Sequence, residues 1–123
     1  MSPDKRKKLN LLRKKLDQLD NKLIKLIKIR TNIVKDVLKL KTYKKEIVDK
    51  KRISLILHNI KKKSIKNNID PKITNRIWKN MIMSYIEFER RNFKKKIAIY
   101  CAVEAFFLQK LRAFLLQDYT SLL

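Results

Sequence analysis

The sequence predicts an all-α chain, and three observations carry that prediction. From Leu9 to Lys41 (LNLLRKKLDQLDNKLIKLIKIRTNIVKDVLKLK) apolar residues fall at 9, 12, 16, 19, 23 and 26. This three-four alternation is the spacing of one helix face. The chain has no glycine and two prolines, so it has few means of making tight turns. Both prolines stand in helix-start signals, Ser2-Pro3-Asp4 and Asp70-Pro71. Ser or Asp serves there as N-cap and Pro occupies the first helical position.

The first helix is expected to run from the Ser2 cap to about residue 42, with Asp4 near its positive dipole end. Its stripe continues through 30, 33/34, 37 and 41. A helix of this length in a chain of 123 residues needs a partner to bury its stripe. A three-helix core of this size is also modest, so dimerisation is expected. Thr42 to Val48 (TYKKEIV) loses the stripe and reads as a loop. Asp49 caps a second helix carrying Arg52, Ile53, Leu55, Ile56 and Ile60, which fades near Lys63 to Asn68. Asp70-Pro71 opens a third helix, expected to reach about Phe93. One face of it holds Ile73, Ile77, Met81, Ser84 and Phe88. Beside that face run Trp78, Ile82, Tyr85 and Glu89.

Composition changes after Lys96. Residues 1–96 hold 31 of the 33 Lys and Arg, and residues 97–123 hold two. The expected organisation is one domain over 1–96 and a hydrophobic C-terminal extension over 97–123. The apolar run 97–108 contains Glu104 and is shorter than the roughly 20 residues that span a bilayer. A fourth helix packing on a dimer, an interfacial helix and a segment with little role all remain open. Cys101 reads as a packed small hydrophobe, not a nucleophile.

Several function classes are excluded. Phosphate-binding loops, dinucleotide-binding loops and nucleophile elbows all need glycine. One cysteine permits no internal disulfide. The single histidine, His58, permits neither a multi-His metal site nor a Ser-His-Asp triad within one chain. No metal or other cofactor is expected. The N-terminus has no secretory pattern, which makes a cytoplasmic location the expectation. The net charge of +22 invites a nucleic-acid reading. Against it, lysines occupy nearly every polar position and do not gather on one stripe, as in a solvated face written under an A/T-rich coding bias. A milder reading is a positive field that draws in an anionic small molecule.

The cations on the first helix carry more information. Arg30 and Lys41 stand where the stripe asks for an aliphatic residue. Eleven residues are close to three whole turns, so a continuous helix points both the same way. A cation on a buried stripe needs an anion to meet it. No acid lies on the stripe between them, so the anion comes from outside. Arg13 lies 17 residues before Arg30, about 25 Å along a helix axis. It can reach only the equivalent pocket of a partner, in an antiparallel pair. On the third helix, Glu89 continues an apolar line. Desolvation there favours its neutral, hydrogen-bond-donating form; the plainer reading is an ion pair with a nearby lysine.

The stretch LRKKLDQLDNKLIKLIKIR, with Lys41 eleven residues on, resembles the first helix of the type II, all-helical chorismate mutases. IDPKITNRIWKNMIMSYIEFERRNF resembles that family's last helix. The resemblance covers about residues 8–93. It implies a three-helix fold with a long first helix, an intertwined homodimer and two sites that convert chorismate to prephenate. It also implies roles. Arg13 crosses to the partner subunit and binds one carboxylate, and Arg30 binds the other. Lys41 bonds the ether oxygen and a carboxylate, Arg52 lines the site, and Glu89 donates to the ether oxygen as a neutral acid. Asp49 and Tyr85 match family positions near the substrate. The rearrangement is pericyclic, so it needs no nucleophile, base or metal.

Ile53 stands where many mutases have a Glu that contacts the ring hydroxyl. The related isochorismate pyruvate lyases, of the same fold, carry an apolar residue there and resemble this chain around Tyr85-Ile86. The lyase is therefore the alternative reaction. A basic helical nucleic-acid-binding module is the alternative of another class. Arg30 and Lys41 on the apolar stripe weigh against that module, since a surface binder keeps its cations outside.

Overall fold

The computed structural model describes residues 1–121, with side-chain surroundings through 117. Among the described residues the chain forms three helices: α1 (Pro3–Leu40), α2 (Lys50–Lys66) and α3 (Pro71–Ser121). A short 3-10 turn, Lys44–Glu46, lies between α1 and α2. The chain divides into two compact units, Met1–Leu40 and Lys41–Leu123.

The first unit is α1. The Ser2 carbonyl accepts from the Arg6 N–H at 3.0 Å, and the Ser2 hydroxyl lies 3.4 Å from the Lys5 N–H. The first is the opening intrahelical bond, and the second satisfies a donor that a helix start leaves unpaired. The stripe read from the sequence is present and uncovered. Leu12, Leu16, Leu19, Leu23 and Leu26 are each more than half exposed. The helix ends at Leu40, so Lys41 lies just outside it. The expected helical end near 42 is two residues too long, and helical register does not set where Lys41 points.

In the second unit α2 packs against α3. Asp49 caps α2 as the sequence predicts. It is extended (φ −102°, ψ 94°), and its carboxylate accepts from the Arg52 N–H at 2.9 Å. The inner line of α2 is Ile53, Ile56, Leu57, Ile60 and Ser64, all half-buried or buried. Buried Ser64 lies 2.6 Å from the Thr74 hydroxyl of α3 and donates to the Ile60 carbonyl at 2.7 Å.

The link from α2 to α3 shows how a chain without glycine ends a helix. Asn68 takes a positive φ of 56°, the conformation usually left to glycine and next best tolerated by Asn. The Ile69 N–H then bonds the Ser64 carbonyl at 2.9 Å, and the Asn68 N–H bonds that of Ile65 at 3.2 Å. These paired bonds form a Schellman closure. Asp70 then caps α3 as predicted, accepting from the Lys72 N–H at 2.9 Å.

Of the two lines read on α3, the one through Trp78 is the more buried; on the other, Met81 and Phe88 are half-buried and Ser84 is exposed. Trp78, Ile82 and Tyr85 are half-buried, Glu89 and Phe93 are buried, and Ile73 and Ile77 are about half exposed. The expected end of α3 near Phe93 is corrected: the helix continues unbroken to Ser121. No proline or glycine interrupts it, and the residues beyond 96 are mostly good helix formers. The change after Lys96 is one of solvation and leaves the backbone helical. Leu122 and Leu123 of the expected extension lie outside the described residues. Among the described residues no helix is long and apolar enough to cross a membrane.

Candidate active site

Lys41 is the first residue after α1, and Glu89 lies on the buried line of α3. The Lys41 ammonium donates to Glu89 Oε2 at 2.9 Å. Their side chains are 18% and 9% exposed, so water screens this pair less than a surface ion pair. The plainer reading of Glu89, an ion pair with a lysine, matches this geometry, although the partner comes from 48 positions away in the chain. The expectation that the anion meeting Lys41 comes from outside is thereby corrected: Glu89, off the α1 stripe but in the same chain, supplies it.

Two further side chains, through three hydrogen bonds, fix the backbone around Lys41. The Lys96 ammonium on α3 donates to the Lys41 carbonyl oxygen at 3.0 Å. Immediately after Lys41, the Glu46 carboxylate accepts from the Thr42 N–H at 2.7 Å and the Tyr43 N–H at 2.9 Å. The Tyr43 N–H first, then that of Thr42, holds the Glu46 carboxyl below its ordinary value, with smaller help from the charges of Lys45 and Lys41. These bonds satisfy backbone groups that a continuing helix would otherwise pair, and they account for α1 stopping at Leu40.

The remaining expected site residues are spread over both units. Asp49 spends a carboxylate oxygen on the α2 cap. Arg52 is exposed and Ile53 half-buried, three and four residues beyond it on α2. Tyr85 is half-buried and meets Phe88 edge-on, with ring centroids 6.4 Å apart. Arg13, exposed, and Arg30, half-buried, both lie on α1 in the first unit. Their separation of 17 residues, about 25 Å along a helix, prevents them from meeting on one α1.

The sequence reading missed Glu46 and Lys96. Glu46 sits in a segment read as a plain loop, although an acid three residues after Tyr43 fits a turn that closes on backbone N–H groups. Lys96 is hidden in the run Lys94-Lys95-Lys96. Its one distinguishing mark is a spacing of seven residues, two helical turns, from Glu89.

Residues 12–90 match the family described as chorismate mutase type II. A chorismate mutase of Methanocaldococcus jannaschii is 35% identical over 97 residues, covering 72% of this chain and 97% of that protein. No solved structure matches the chain. The chain belongs to the chorismate mutase type II family. It is an isomerase of aromatic amino-acid biosynthesis with the all-helical architecture that its sequence predicts.

Proposed function

We propose that the chain rearranges chorismate to prephenate in two equivalent sites of a cytoplasmic homodimer, each site built from both subunits. The observation that carries the proposal is the Lys41–Glu89 pair at 2.9 Å, a half-buried cation held in place by a buried acid. The residues assigned roles here all fall within the matched segment 12–90. The uncovered leucine stripe of α1 supports the dimer, because an apolar line of that length is stabilised by removal from water.

The reaction breaks the ether C–O bond and forms a C–C bond within one molecule. The site has two tasks: to hold a dianion in its compact conformation, and to stabilise negative charge that grows on the ether oxygen. Arg30 binds one carboxylate and the partner's Arg13 binds the other. Lys41 donates to the ether oxygen and to a carboxylate. Glu89 orients the Lys41 ammonium and, when it carries a proton, donates to the same oxygen. Asp49, Arg52, Ile53 and Tyr85 line the ring side of the site. Donors placed before the reaction lower its barrier because they need no reorganisation as the charge develops. The domain that does this is residues 1–96, and 97–123 is an extension of it.

Ile53 favours one second reading, elimination of pyruvate from isochorismate, because an aliphatic residue offers no acceptor to a ring hydroxyl. Purified protein incubated separately with chorismate and isochorismate distinguishes the two. Prephenate from chorismate is the expected result. Salicylate and pyruvate from isochorismate, with little prephenate from chorismate, would assign the lyase. Turnover of neither would remove both.

A further inference from the structure

We infer that Lys96, beyond the matched segment, is a positioning residue for Lys41; the inference rests on the proposed role of Lys41 in catalysis. Glu89 and Lys96 are seven residues apart on α3. That spacing is two turns, roughly 10 Å along the axis and within about 20° on the same face. They hold one residue at its two ends. Glu89 Oε2 accepts from the Lys41 ammonium at 2.9 Å, and the Lys96 ammonium donates to the Lys41 carbonyl at 3.0 Å.

The carbonyl of Lys41 follows the end of α1, where carbonyls lose their intrahelical partners and a cation is favoured by the helix dipole. A lysine side chain has four rotatable bonds, and its donor is useful only where the developing charge appears. With the carbonyl and the ammonium both held, few arrangements of those bonds remain, so Lys41 is ordered before substrate arrives. The grip depends on α3 staying helical past Phe93. The continuation to Ser121 places Lys96 in the helix interior and not in a fraying last turn. This gives the C-terminal extension a role in keeping the turn that carries Lys96 formed.

The test uses the full chain with Lys96→Met, Lys96→Arg and, as a matched loss of one neighbouring surface charge, Lys95→Met. Steady-state kinetics are read together with the ¹³C resonance of the Lys41 carbonyl, which senses its hydrogen bond without turnover. Lys96→Met is expected to lower kcat on the order of tenfold with KM nearly unchanged, since the charge of Lys41 remains but its aim is lost. Lys96→Arg, which keeps a donor, restores most of the rate, and Lys95→Met stays near wild type. The carbonyl resonance moves in Lys96→Met alone. An unchanged kcat in Lys96→Met, or an equal loss in Lys95→Met, overturns the inference. If the wild-type chain fails to rearrange chorismate, the proposed function falls by itself. The carbonyl resonance then decides separately whether Lys96 holds Lys41, and an unmoved resonance overturns that as well.

Discussion

The Lys41 ammonium and the Glu89 carboxylate meet at 2.9 Å although 48 positions separate them in the chain. One follows the end of the first helix and the other lies on the buried line of the third. The pair forms only when α3 is docked on the rest of its unit, so the geometry of the proposed donor depends on folding.

Replacing either cation proposed to bind the reacting dianion should be costly. Arg30→Ala and Lys41→Ala are each expected to lose about 3 kcal/mol of transition-state stabilisation, roughly a hundredfold in kcat/KM. Steady-state kinetics with circular dichroism as a folding control checks this. A near-wild-type rate in either variant removes that residue from the site.

Glu89 is tested through the contact it makes. Glu89→Leu removes the acceptor that meets the Lys41 ammonium at 2.9 Å, and kcat/KM is expected to fall roughly tenfold or more. Steady-state kinetics with circular dichroism as a folding control checks this. A near-wild-type rate would remove Glu89 from the site.

Sharing of sites across subunits is tested by complementation. Arg13→Ala and Arg30→Ala are each nearly inactive alone, but a mixed dimer regains one intact site of its two. Random exchange makes half the dimers mixed, so about a quarter of wild-type activity is expected. No recovery, once subunit exchange is demonstrated, places Arg13 outside the site.

Acid sensitivity of the turn after Lys41 follows from Glu46. Its folded pKa is depressed by the Tyr43 and Thr42 N–H groups. Its stabilising contribution is therefore full above the ordinary glutamate value and is lost as pH falls through the lower folded value. Thermal unfolding against pH should show wild type above Glu46→Gln at neutral pH, with the gap closing on acidification. A gap that persists below that range would mean the carboxylate is not what holds the turn.

The Ser64–Thr74 contact ties α2 to α3 at 2.6 Å, with Ser64 3% exposed. Thr74→Val removes one hydroxyl partner but keeps the shape, and is expected to cost about 1 kcal/mol. Urea unfolding measures this. Because the contact lies at the opposite end of the packed part of α3 from Glu89, KM should not change.

Local signals were legible in the sequence and long-range ones were not. Asp49 and Asp70-Pro71 announce helix starts because a cap is made by residues within one turn. The line through Trp78, Ile82, Tyr85 and Glu89 is legible because helical period fixes which side chains share a face. The choice between that line and the one through Ile73 and Ile77 depends on where α2 docks, which no local pattern states. The end of α3 was missed because a change from lysine-rich to apolar residues resembles a boundary. Helix propensity, however, continues through it. Lys41 read as part of the α1 stripe because its spacing from Arg30 is helical. What ends the helix before it is a set of bonds from Glu46 and Lys96, each invisible until the backbone has turned.

The single cysteine gives the unbroken α3 a practical use. Cys101, expected from the sequence to be packed, is exposed because nothing covers that part of α3 among the described residues; it lies twelve residues after Glu89 on the same helix, about 18 Å along its axis. A spin label attached there needs no engineered site and sits clear of the Lys41–Glu89 pair. Each chain then carries one label, so a dimer yields a single label-to-label distance. Pulsed resonance can follow that distance as substrate is added, reading subunit pairing from the end of the chain beyond the matched segment 12–90.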